Sequence, residues 1–202
     1  MIRYFLLGFL AFSPAALAQN GPSFDCTGAQ TTAEKLICQD SELAALDQLV
    51  ADRYKAAIAS IRESDSGSKA AEDALRTYQR GWIGGRDECW KTDDPRDCVA
   101  WNYKRREGQL VAQFMLETPS STARWHCGES PANEVATLFF DTTLPSVRIE
   151  RGDQITTGSL TPVASGTRYD ADFGQFIWIK GEEAHYRESD PDGQDFTCKL
   201  TN

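Results

Sequence analysis

Ser165-Gly166-Thr167-Arg168-Tyr169, followed by Phe176-Ile177-Trp178-Ile179-Lys180-Gly181-Glu182-Glu183-Ala184, reads as two β-strands joined through the turn Asp170-Ala171-Asp172-Phe173-Gly174. Ser165 stands in a glycine turn, and Lys180 closes an aromatic strand where its ammonium can project past the sheet. Phe176 and Ile179 are out of phase, so this strand is expected to be apolar on both faces for part of its length. Each residue also has a plain structural explanation. Ser-Gly is an ordinary turn pair, and a lysine ending an edge strand is a common solvated gatekeeper. Together they suit a plug aimed at a carboxylate-lined cleft better than they suit an active site.

Working outward, the same β texture fills the C-terminal half. Short runs at Val135 to Phe140, Ser146 to Arg151, Gln154 to Thr157, Leu160 to Val163, Gln175 to Lys180, Ala184 to Arg187 and Phe196 to Leu200 alternate with turn-forming residues. Many short strands at even spacing predict a small antiparallel barrel or sandwich. Upstream the texture changes. From about Thr31 to Leu116 the composition is helical, and Leu43, Leu46, Val50, Tyr54, Ala57 and Ile61 recur three or four apart as one apolar stripe. Asp40 or Ser41 is the expected cap of that helix. A second helix carries Leu75, Tyr78, Trp82 and Cys89 on one side, and a third runs from about Arg96 to Leu116. Gly81, Gly84 and Gly85 are unexpected in the second helix, since each costs about 1 kcal/mol relative to Ala. Close approach to a neighbouring helix, clearance beside Trp82, or a local break would each account for them.

The chain has 202 residues and a formal net charge of −9. Arg3, the apolar run from Tyr4 to Phe12, and Ala16-x-Ala18 read as a secretory signal spanning residues 1–18. Gln19 follows, where a lipoprotein would need a cysteine, so a periplasmic product without a membrane anchor is expected. The rest divides into a helical module at 23–116, a polar proline-bearing linker at 117–123, and a β-module at 124–202. Acidic charge argues against nucleic acid, which needs a basic face. It favours basic partners and raises their encounter rate.

The six cysteines, Cys26, Cys38, Cys89, Cys98, Cys127 and Cys198, are an even set in an exported chain and read as disulfides, not metal ligands. Fifteen pairings exist. If the halves fold separately, Cys127 pairs with Cys198 and three pairings remain in the first half. His126 and His185 fall into no metal spacing. No GxSxG, HExxH or phosphate loop is present, and adjacent Glu182 and Glu183 point to opposite strand faces. Neither an enzyme nor a cofactor is expected.

From about Arg124 onward, the SGxxY segment, the later Phe-Trp-Lys-Gly-Glu-Ala residues and the flanking Cys127 and Cys198 resemble the C-type lysozyme inhibitor family, whose pattern is SGxxY then FWxKGxEA. The resemblance implies a β-barrel and a lysozyme-binding site of Ser165, Gly166, Tyr169 and Lys180. In it, Ser165 and Lys180 enter the substrate cleft while Tyr169, Phe176 and Trp178 support them from behind. The family spaces Ser to Lys fourteen apart with Phe and Trp adjacent. Here the spacing is fifteen and Ile177 intervenes. The extra residue fits either in the 170–174 hairpin or as a strand bulge, and either would shift Lys180 relative to Ser165. Ser23 to Val111, with Cys26, Cys38, Glu34-Lys35-Leu36-Ile37 and Trp82-x-x-x-Arg86-Asp87-x-Cys89, resembles the LprI-type module. That family is also linked to lysozyme inhibition. Arg86 and Asp87 are expected to be a structural charge pair beside a disulfide.

The expected architecture is therefore α+β in two domains: a disulfide-linked three-helix module followed by a small antiparallel β-barrel. The expected partner is a basic C-type lysozyme, with a homodimer also open. The rival reading is an envelope-binding or scaffolding protein without inhibitory action.

Overall fold

A computed structural model describes residues 21–63, 67–130 and 133–201. The expected signal segment, 1–18, lies outside the described residues. The N-terminal half is helical: α1 Thr32–Gln39, α2 Ser41–Arg62, α3 Ser68–Asp87 and α4 Pro95–Phe114. The three long helices match those read from the periodicity, and α1 is an additional short one. Thr31 and Glu34 form a reciprocal capping box at its start. Asp40 ends α1 and caps α2 by accepting from the backbone N–H groups of Glu42 and Leu43. One acidic residue thus satisfies orphan donors at the corner between two helices.

The stripe on α2 faces inward. Leu43, Leu46, Val50, Ala57 and Ile61 are buried and Tyr54 is half-buried. Each fully buried leucine or isoleucine contributes about 1.5–3 kcal/mol. Beside this apolar core runs a buried polar chain. Arg86 donates to Tyr103 at 2.6 Å, Tyr103 donates to Asp47 at 2.8 Å, and Asp47 accepts from the Ser23 backbone at 2.5 Å. Arg86 also pairs with Asp87 at 2.7 Å, which makes it a structural charge. Burial pushes the Tyr103 hydroxyl well above its ordinary range, so it stays a donor. Disulfides Cys26–Cys38 and Cys89–Cys98 resolve the pairing left open in this half.

Gly81, Gly84 and Gly85 do none of the work proposed for them. Helix α3 runs unbroken through Asp87, and a Cβ added at any of the three would meet no atom within 4 Å. They lie on an open face. Gly84→Ala and Gly85→Ala should therefore each raise stability by about 0.5–1 kcal/mol, read as a higher urea midpoint at unchanged m-value. A fall in the midpoint would mean that this face is covered.

The C-terminal half is a closed barrel in which every neighbouring pair is antiparallel. Its strands are β1 Ser121–Cys127, β2 Glu134–Phe140, β3 Ser146–Arg151, β4 Gln154–Thr161, β5 Thr167–Asp170, β6 Phe176–Lys180, β7 Glu183–Arg187 and β8 Asp195–Thr201. The runs at Gln154 to Thr157 and Leu160 to Val163, read as two strands, are one. β1 begins at Ser121, inside the stretch expected as linker at 117–123, so only 115–120 connect α4 to the barrel. Closure occurs where β1 pairs with β8, and there Cys127 and Cys198 are both register partners and a disulfide. Trp125, Val135, Ile149, Tyr169, Ile177 and Tyr186 fill the interior.

Each half has its own core, and α4 joins them. Val111 and Ala112 of α4 pack with Phe140 of β2 in a third buried cluster. Glu107 accepts from the Thr143 backbone at 2.9 Å, and Arg148 donates to the Gln113 carbonyl at 2.8 Å. A side chain at Gly108 would place its Cβ 2.8 Å from Ser146 Cβ, so this mid-helix glycine is what lets helix and barrel touch. Further along, Arg105 pairs with Asp172 of the β5–β6 turn at 2.6 Å.

Candidate functional site

The β5–β6 hairpin pairs Thr167 with Ile179, Arg168 with Trp178, Tyr169 with Ile177 and Asp170 with Phe176. The ladder contains no bulge, so the extra residue sits in the 171–175 turn, at the far end from Ser165 and Lys180. The same register continued by one residue brings Gly166 across from Lys180. The spacing of fifteen therefore leaves these two segments face to face.

The local geometry is tight. Gly166 has φ +75°, and a Cβ there would lie 2.3 Å from the Ile179 carbonyl oxygen and 2.9 Å from Lys180 Cγ. Only glycine allows the turn to settle this close to the neighbouring strand. Trp178 holds the arrangement on its outer side. Its indole N–H donates to the Ser165 carbonyl at 2.9 Å, and Lys180 Nζ rests 3.7 Å from the centre of its ring. A cation over an indole face is attracted by the ring quadrupole, worth about 0.5–1 kcal/mol at an exposed site. Ser165, Gly166 and Lys180 are exposed. No carboxylate among the described residues forms an ion pair with Lys180. The ammonium is thus positioned by an aromatic surface and left without a counterion.

Alternation explains the two faces of β6. Ile177 and Ile179 point into the barrel core, whereas Phe176, Trp178 and Lys180 share the other face. Phe176 lies under the Arg168 guanidinium at 3.9 Å and edge-on to His185 at 5.0 Å. This face builds a shelf under the exposed pair. The sequence suggested Trp178 as support; its hydrogen bond to Ser165 makes it a clamp. Its same-face spacing with Lys180 was the available signal.

Tyr169 carries two expectations, as a contact residue and as a support from behind. Proposed as a binding residue, it is buried at 7% exposure, inside the barrel and 5.4 Å from Phe139. Burial raises its hydroxyl above the ordinary value. Its ring faces an opening of about 430 Å³ at this end of the barrel, also lined by Phe139, Ile179, Gly181 and Leu200. Odd-numbered residues of β5 face inward, which places Tyr169 beneath the turn as support, not on the surface as a contact.

The two histidines lie outside the Ser165–Lys180 pair, although His185 stands across from Trp178 on β7. His126 lies on β1, and His185 contacts Asp195 at 2.8 Å on the barrel surface. Among the described residues no group of three His, Cys, Asp or Glu side chains is arranged to hold a metal ion. No described helix is long and apolar enough to cross a membrane.

Residues 25–118 match the family model described as lysozyme inhibitor LprI. Residues 125–194 match the one described as membrane-bound lysozyme-inhibitor of c-type lysozyme. Neither the curated proteins nor the solved structures gave a match.

Proposed function

We infer, from a chain that carries an LprI-type module ahead of an MliC-type module, that this protein inhibits C-type lysozyme by binding and carries out no reaction of its own. The observation that supports the mode of action is the exposed, unpaired Lys180 ammonium. It is held on the Trp178 ring next to the Ser165 turn that the same indole clamps.

A lysozyme-type glycosidase works with two carboxyl groups, one kept protonated by its surroundings and one ionised. The Lys180 ammonium is the complement of the ionised group and can form a charge-assisted hydrogen bond in a cleft partly cleared of water. The Ser165 hydroxyl can accept from the protonated acid. Because nothing in the turn is cleavable, occupancy blocks substrate without covalent chemistry. Preorganisation strengthens this. The ladder, Gly166 and Trp178 fix both groups before contact, so little conformational entropy is lost on binding. Residues 124–202 contain seven Lys or Arg against thirteen Asp or Glu, an acidic balance that steers a basic enzyme toward the barrel. Such a target lies outside the cytoplasm, in keeping with the export signal expected at 1–18.

Cell-wall lysis by a C-type lysozyme, followed with increasing amounts of the purified protein, tests the inference. Inhibition should be complete at excess and competitive with substrate. Lysis at full speed under excess protein would favour the envelope-binding alternative. Ser165→Ala should weaken inhibition by about 1 kcal/mol, or roughly fivefold in the inhibition constant. An unaltered constant would assign the contact to the lysine alone.

A further inference from the structure

Between α3, α4 and the barrel lies a groove of about 480 Å³, a volume within the range that small-molecule sites take. It shares no lining residue with the Ser165–Lys180 site. Its walls gather three of the exposed large apolar side chains, Tyr78, Ile155 and Phe173, with Leu75 and Phe114 beneath them. Phe173 is 78% exposed and holds φ +56°, a conformation that non-glycine residues adopt reluctantly. The Arg105–Asp172 ion pair anchors the turn that presents it on the groove rim.

Two polar side chains one helical turn apart on α4 face this apolar space. Arg106 is only 4% exposed. Its Nε and Nη2 donate to a neutral acceptor, Gln79 Oε1, at 3.0 and 2.8 Å, and its guanidinium lies 4.6 Å from the Tyr78 ring centre. Among the described residues it has no carboxylate partner. The acid on the groove wall, Asp172, is held by Arg105 at 2.6 Å and Tyr78 at 3.4 Å. Burial pulls the Arg106 guanidinium down to about 10, and it remains a cation at neutral pH. Gln109, 8% exposed, also lines the groove and has no hydrogen-bond partner among the described residues. A nearly buried guanidinium held by a neutral acceptor, with Asp172 engaged elsewhere, and a neighbouring amide with no protein partner leave donors that reach the groove free for an anion.

We propose that this groove binds a single-chain carboxylate amphiphile, its head group on Arg106 and Gln109 and its hydrocarbon along Leu75, Phe114, Ile155 and Phe173. A monoanion fits the single uncompensated cation. Its two oxygens match the remaining guanidinium edge and an amide N–H, and the chain covers apolar surface that the two halves leave open.

Titration calorimetry of the full chain with dodecanoate, below its micellar concentration, tests the proposal. One saturable site is expected. Dodecanol and dodecyltrimethylammonium, with the same tail and a neutral or cationic head, should bind at least tenfold more weakly. Arg106→Gln should lose at least tenfold for dodecanoate. Because that residue is buried, Ile155→Glu on the exposed rim serves as a second variant; it should keep the circular dichroism of the parent and also lose at least tenfold. Absence of saturable binding to the unaltered protein overturns the proposal, as does equal affinity for all three heads or unchanged affinity in folded Ile155→Glu. Lysis assays with dodecanoate present should still report full inhibition, so failure here leaves the lysozyme reading intact.

Discussion

Lys180→Glu should weaken lysozyme binding by about 3 kcal/mol or more, a loss of at least roughly 100-fold in affinity. In the proposed mode of action, the substitution removes an ammonium from the position that would meet an ionised carboxylate and puts a second carboxylate in its place. Both charges would then be desolvated together with no compensating partner. The fold should be indifferent, since Lys180 is exposed and its ring contact with Trp178 contributes little to stability. Inhibition constants and unfolding midpoints measured on one preparation separate the two effects. A variant that unfolds normally and inhibits normally would remove Lys180 from the interface.

Gly166→Ala is expected to damage both stability and inhibition. The added Cβ meets a backbone oxygen, that of Ile179, at 2.3 Å, and a strand carbonyl cannot rotate away as a side-chain tip can. Overpacking of this kind costs about 1–3 kcal/mol, and the left-handed φ adds roughly 1 kcal/mol for a residue with a Cβ. The control is Gly152→Ala in the β3–β4 turn, where φ is +55° but nothing lies within 4 Å. It should lose only the conformational part and inhibit normally. Equal destabilisation of the two variants would mean that crowding at Gly166 is relieved elsewhere. The Ser165 turn would then be less rigidly seated than the indole clamp implies.

Much of this architecture was legible in the chain. The α2 stripe, its Asp40 cap and the aromatic strand ending in Lys180 follow from local periodicity and local hydrogen-bonding options, which are properties of short windows. Other features are set by distant partners. β1 opens with Ser121-Thr122-Ala123, too polar to alternate visibly, and is a strand because β2 and β8 supply its ladder. Helix α1 has eight residues, too few for a helical period to declare itself. The position of the extra hairpin residue depends on register, and the register depends on which face Tyr169 and Ile177 must bury. The same fact separates the two roles that the motif leaves together for Tyr169, contact and support. Gly108 resembles any other glycine in a helix until Ser146 is brought against it. Gly81, Gly84 and Gly85 invite a packing explanation that open space refutes.

The Cys127–Cys198 bridge joins the first and last strands of the barrel at the edge where it closes. A meander of this kind has one natural line of opening, and tension or proteolytic trimming at either terminus would ordinarily peel an end strand away from it. With the bridge in place, a pull on the end of the chain can unzip only the pairs that Lys199, Leu200 and Thr201 make with β1; at Cys198 it crosses the disulfide to Cys127 and passes along β1 toward α4. Such a molecule should keep working when its tail is nicked. Trimming that reaches Cys198 should release the rest of β8 only where thiols stay reduced.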